Sequence, residues 1–177
     1  MSLVPQVAFF SIISFSLYAA FLYFQPDGWF MIDSMVLVVG AIGGAGLGLL
    51  ISNRLSLITF SVVAGVVDIY SVSGGLTSKL VENAKTGSSD LLYYLVVSIP
   101  WDGKVQPVVG IGDFFILAAI CFAMIRMGYK THYLLMAPLS GLIIALVIGL
   151  IVGGIYAIPF MALTTVLYLF WVNPLKK

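Results

Sequence analysis

The sequence predicts an all-α polytopic membrane protein built as a single membrane domain over residues 1–177. Three observations carry this. The chain is 62% hydrophobic and only 8% charged, against about 45–50% apolar and about 25% charged for a soluble domain. Its mean hydropathy is +1.16. Apolar runs long enough to span a bilayer recur along it, about 20 residues being needed for one crossing. Backbone groups in lipid must be satisfied within the segment, so these runs are helices. A membrane β-barrel would alternate apolar and polar residues, and these runs do not.

The first span covers about 4–24. "MSLVPQ" supplies no basic leader region, and the apolar run after it is too long for a signal sequence, so it reads as a retained span. The second covers about 32–52 and the third about 54–73, divided only by Ser52, Asn53 and Arg54. Gly40, Gly44 and Gly48 recur at four-residue spacing in the second span, with Gly43 and Gly46 beside them. This marks a close-packing helix face. A nucleotide-binding loop is excluded there, because no strand precedes it and no lysine follows.

A long loop, 74–107, comes next. Its first part, "GGLTSKLVENAKTGSSD", is polar. Its second part holds β-prone "LLYYLVVSI", a "PWDG" turn and "KVQPVV". Asp102-Gly103 between apolar runs signals a small hairpin before the next helix. Pro107 restricts the second strand to an edge or a strand end. An interfacial re-entrant segment is the alternative reading of this stretch. Three further spans follow, at about 108–127, 132–153 and 155–173, the last two divided at Gly153-Gly154.

Charge and cysteine content exclude several classes. A net charge of +1 leaves no basic footprint for nucleic acid. The single cysteine, Cys121, allows neither an intrachain disulfide nor a cysteine metal site and reads as packing. The single histidine, His132, reads as an interfacial loop residue. Nothing calls for a cofactor or a metal.

Two acids stand out. Asp68 lies in "FSVVAGVVDIYSV", about five residues before the end of the third span; Asp113 lies about five residues into the fourth. A carboxylate at the centre of a membrane helix costs roughly 2.5–3.5 kcal/mol on insertion scales. Consecutive spans run antiparallel, so the long loop joins the two ends that carry these acids. At 1.5 Å per residue both sit several ångströms inside one face, and the carboxylates can meet. Two facing carboxylates share one proton and titrate as a unit, the arrangement of an aspartic protease. Gly110 and Gly112 remove side chains beside Asp113, which lets a substrate backbone approach. Asp27, Asp33, Glu82, Asp90 and Asp102 fall in loops or at helix ends. Proton-coupled transport or ion conduction would use the same two acids, and simple pairing with buried polar groups is the bland alternative.

"GIGD" (Gly110–Asp113) followed by "FFILA" resembles the GxGD signature of the presenilin and signal peptide peptidase family. "VVDIYSV" (Val66–Val72) resembles that family's other catalytic segment, with Val67 where the family has tyrosine. "LVENAK" (Leu80–Lys85) is similar to presenilin sequence after that helix. "YAIP" (Tyr156–Pro159) stands where the family carries Pro-Ala-Leu-Pro, with Tyr156 for its first proline and Ile158 for its leucine. Counting crossings puts this segment on the face of Asp68 and Asp113.

The resemblance runs from about Arg54 to Trp171. It implies an intramembrane aspartyl protease with Asp68 and Asp113 as the catalytic pair. Gly110, Ile111, Gly112, Tyr156, Ala157, Ile158 and Pro159 would shape the site. Single-pass transmembrane proteins or peptides are the implied substrates. The family has nine helices, and this chain corresponds to the last six. Self-association, with the glycine face of the second span as one candidate surface, would replace the missing ones. A prepilin-type peptidase is the nearest enzymatic alternative, but it would place its first aspartate at the membrane surface. A catalytically silent protein of the same fold is the non-enzymatic one.

Basic residues set the expected orientation. Arg54, Arg126, Lys130, Lys176 and Lys177 share one face; Lys79, Lys85 and Lys104 lie in the long loop on the other. The positive-inside rule puts both termini in the cytoplasm.

Overall fold

The computed structural model describes residues 29–75, 79, 95–101, 104–152 and 156–172. Five helices and one hairpin make up this part: α1 (Trp29–Leu50), α2 (Arg54–Gly74), β1 (Val96–Trp101), β2 (Lys104–Gly110), α3 (Ile111–Arg126), α4 (Thr131–Val152) and α5 (Ala157–Trp171). The expected span at 4–24, the "LVENAK" segment, the turn residues Asp102 and Gly103, and Gly153-Gly154 lie outside the described residues.

Two of the helices are long and apolar enough to cross a membrane: the Asp33–Leu50 part of α1, and α2. Shorter apolar helical stretches run over Met136–Gly149 and Ala157–Trp171. α2 starts sharply because Asn53 caps it, its side-chain oxygen accepting the N–H of Ser56 at 2.8 Å. α4 carries Pro138 in its interior, buried. The missing N–H there deprives one carbonyl of its partner, and the helix nevertheless continues.

The hairpin forms, with strand limits that differ from the sequence expectation. β1 takes in Pro100 and Trp101, which were expected in the turn, and β2 covers the expected "KVQPVV" and adds Gly110. Val97 pairs with Val109 and Ser98 with Pro107, leaving Val108 as an extra residue beside the proline. A bulge at this point fits a residue that has no N–H to give the ladder. The expected helix at 108–127 therefore begins three residues late, because Val109 and Gly110 pair with β1 and Val108 forms the bulge beside them.

Helix directions follow from close contacts. Along α1, a Cβ at Gly40 would meet Ile111 and Phe114, one at Gly44 would meet Phe115 and Ala118, and one at Gly48 would meet Ala119 and Phe122. The residue numbers rise together, so α1 and α3 run parallel with their backbones in near contact. The glycine face is thus filled by α3 of the same chain. This corrects its assignment as a self-association surface. Residue numbers run oppositely along α2 and α5, from Arg54 over Phe170 to Gly65 against Pro159 and Ala162. Gly141 of α4 lies against Phe160 and Met161 of α5. The core between these helices is Leu57, Ile120, Met124, Met161 and Leu169. The helix exteriors carry large apolar residues, among them Val66, Val67, Tyr70, Ile151 and Leu163.

Candidate active site

Asp68 and Asp113 come to the same end of the helices. Asp68 sits six residues before Gly74, the last of α2. Asp113 is the third residue of α3, not the fifth, because the strand takes the preceding valines. Its carboxylate lies within electrostatic reach of Asp68. Both acids are half-buried.

The hairpin fixes Asp113. Gly110 ends β2 and serves as the N-cap of α3. The N–H of Gly110 donates to Asp113 Oδ2 at 2.9 Å, and the N–H of Ile111 donates to the carbonyl of Leu95, just before β1, at 2.8 Å. A carboxylate in the first turn of a helix also faces the positive end of the helix dipole. Asp113 is therefore held from both sides, by its own helix and by the hairpin. Only one of its two oxygens is spent on the cap.

The start of α5 fixes Asp68. The Asp68 carboxylate accepts the backbone N–H of Ile158, the second residue of α5. The first four N–H groups of a helix have no partner within it, so this donor is available to a carboxylate from another helix. Pro159, at the third position, has no N–H to offer and fits the first turn. Tyr156 is the N-cap residue, and its hydroxyl lies 3.2 Å from Ser73 Oγ near the end of α2. Gly65 lets the α5 backbone close on α2, since a Cβ there would already be 3.4 Å from Pro159 Cα. The other oxygen of Asp68, Oδ2, is buried and has no hydrogen-bond partner among the described residues.

The remaining predicted residues divide into lining and opening. Ile158 is buried, while Ile111, Ala157 and Pro159 are half-buried. Gly112 is exposed and a Cβ there would meet nothing within 4 Å. A Cβ at Gly110 would stand 3.5 Å from Asp113 Oδ2. Open space therefore borders Asp113 on the Gly112 side.

Sequence reasoning missed Gly65, Ser73 and the Ile158 N–H. It also left Asp33 as an ordinary helix-end acid, whereas Asp33 is buried at 8% exposure in the second turn of α1. With Ile32 before it and Ser34 after it, the local sequence gives no signal of that burial. Among the described residues, no three His, Cys, Asp or Glu side chains gather as metal ligands.

Such a site places two carboxylates within electrostatic reach of each other next to an open face of backbone. Compared with protein-family models, curated proteins and solved structures, the chain matches none.

Proposed function

We propose that the chain is a multi-pass intramembrane aspartyl protease that hydrolyses peptide bonds in single transmembrane helices. The observation that carries this is the meeting of Asp68 and Asp113 at one helix end, each held by a backbone N–H from a different motif. Those motifs, "GIGD" and "YAIP", are the ones whose resemblance to presenilins and signal peptide peptidases the sequence carries. Exposed apolar residues around the helices support a lipid-facing exterior. Six crossings with both termini in the cytoplasm belong to the same proposal, and rest on the apolar runs and the placing of basic residues in the sequence.

The pair shares one proton. The ionised carboxylate takes a proton from water as the water oxygen attacks the scissile carbonyl carbon. The protonated carboxyl gives its proton to the carbonyl oxygen. The resulting gem-diol collapses: one hydroxyl proton returns to the ionised carboxylate, the C–N bond breaks, and the leaving nitrogen takes the other acid's proton. The dyad ends with one proton, as it began. The two aspartates are interchangeable in this scheme. A substrate helix must first unwind, freeing backbone groups that β1 or β2 can pair with by strand addition. Gly112 leaves the room for that backbone.

The test is cleavage of a labelled transmembrane peptide in reconstituted bilayers. Asp68→Asn and Asp113→Asn should each remove activity, and a transition-state aspartyl inhibitor should do the same. Retained cleavage in Asp113→Asn sinks the mechanism.

A second reading, proton-coupled transport, is favoured by one observation. Ser61 and Thr165 are fully buried on the facing helices α2 and α5, and their hydroxyls lack partners among the described residues. With Asp68 they make a polar line into the helix interface. Proton flux in vesicles that is lost in Ser61→Ala would favour transport; intact cleavage without flux would favour the protease.

A further inference from the structure

At the end of the helices opposite the aspartates, the chain collects cations. Arg54 opens α2, Arg126 closes α3 and Lys130 precedes α4. The Arg54 guanidinium lies 5.6 Å from the centroid of the Phe170 ring, a cation–π distance. Its charge also reaches Tyr129, whose hydroxyl is pushed up by burial and drawn back down by Arg54. That hydroxyl is buried and without a hydrogen-bond partner among the described residues, in a side chain only 5% exposed. Arg126, three residues before Tyr129, and Lys130, directly after it, are both exposed.

No described carboxylate balances this group. Asp33, Asp68 and Asp113 are the acids of the described residues, and all three lie at the other end. Next to Arg54 are exposed Leu55, Phe170 and, following it, Trp171. Cations beside an exposed aromatic rim are the composition of a membrane–water boundary.

We propose that Arg54, Arg126 and Lys130 form a binding site for the headgroup of an anionic phospholipid, with Leu55, Phe170 and Trp171 along its acyl chains. The apolar rim is the reason to choose a lipid over a free anion, since inorganic phosphate would gain nothing from it. The inference rests on the reading of the chain as membrane-spanning. Each basic residue near an anionic leaflet is worth about a fivefold change in binding.

The test uses the full chain in phosphatidylcholine vesicles containing trace spin-labelled phosphatidylglycerol or spin-labelled phosphatidylcholine. The fraction of label immobilised by protein is compared between the two. The expected result is preferential immobilisation of phosphatidylglycerol. That preference should fall about fivefold in Arg126→Gln and again in Arg126→Gln/Lys130→Gln. Arg54→Lys, which keeps the charge, should retain it. Equal immobilisation of both lipids overturns the proposal, as does an unchanged preference in the double variant. Loss of preference on adding inorganic phosphate, at an ionic strength matched with chloride, would reassign the site to a soluble anion and overturn the lipid assignment. A chain that does not enter vesicles at all would overturn the membrane reading itself, which an incorporated chain without lipid preference would leave standing.

Discussion

The backbone N–H of Ile158 is hydrogen-bonded to the carboxylate of Asp68, tying the first turn of α5 to the acid on α2. A hydrogen bond to a charged group is worth roughly 1.5–3 kcal/mol. Replacing Ile158 with proline removes this donor while staying within the first helical turn, where proline is tolerated. Ile158→Pro should lower cleavage by roughly ten- to hundredfold. Ile158→Val, which keeps the N–H, should stay within a few-fold of wild type. Equal losses in both would mean that side-chain packing, not the donor, matters. Cleavage rates in bilayers, with circular dichroism as a folding control, make the comparison.

Asp113 plays two parts that can be separated. It caps α3 through the Gly110 N–H, and in the proposed reaction it handles a proton. Asparagine keeps an oxygen that can accept the Gly110 bond but cannot shuttle protons; alanine loses both. Asp113→Asn should unfold near the wild-type temperature in detergent, with Asp113→Ala less stable by about 1 kcal/mol. Both should lose roughly 10²–10⁴-fold in cleavage. Activity that followed stability across the two variants would reduce Asp113 to a cap.

Much of this arrangement is readable in the sequence, and the unread parts have physical causes. Apolar run length locates the described helices, and Asp102-Gly103 signals the hairpin. The spacing of Gly40, Gly44 and Gly48 announces a close-packed face but not its occupant, because small residues specify distance and not partner. The start of α3 was misplaced because Val108 and Val109 are apolar and suit a span and a strand equally well. Strand pairing with β1 decides between them, and that is a tertiary fact. The Ile158 donor was invisible because a backbone N–H carries no side-chain signature. The burial of Asp33 depends on helix neighbours that a periodicity argument does not supply.

The α1–α3 contact predicts a sharp contrast among glycines. A Cβ at Gly44 would run into the Phe115 carbonyl and the Ala118 methyl, whereas one at Gly74 would meet nothing within 4 Å. Overpacking a tight contact typically costs 1–3 kcal/mol, occasionally more. Gly44→Val should lower the unfolding temperature or prevent folding. Gly74→Ala should leave stability unchanged or slightly raised. Thermal unfolding of the two variants in the same detergent checks the parallel packing of these helices.

Gly112 offers the cleanest separation of stability from function. It is the second residue of α3, it is exposed, and a Cβ there would meet nothing within 4 Å. Alanine has a helix propensity better than glycine's by about 0.8–1.0 kcal/mol in a helix interior, so Gly112→Ala should be as stable as wild type or more so. If the open space beside Asp113 receives the unwound backbone of a substrate, the added methyl stands in its way. Cleavage should then fall while KM for the transmembrane peptide rises. A bulkier Gly112→Val should deepen the loss without unfolding the chain. Unchanged kinetics in both variants would place the substrate elsewhere and remove the reason given for glycine at this position. Steady-state kinetics in bilayers and thermal unfolding, measured on the same preparations, decide between these outcomes.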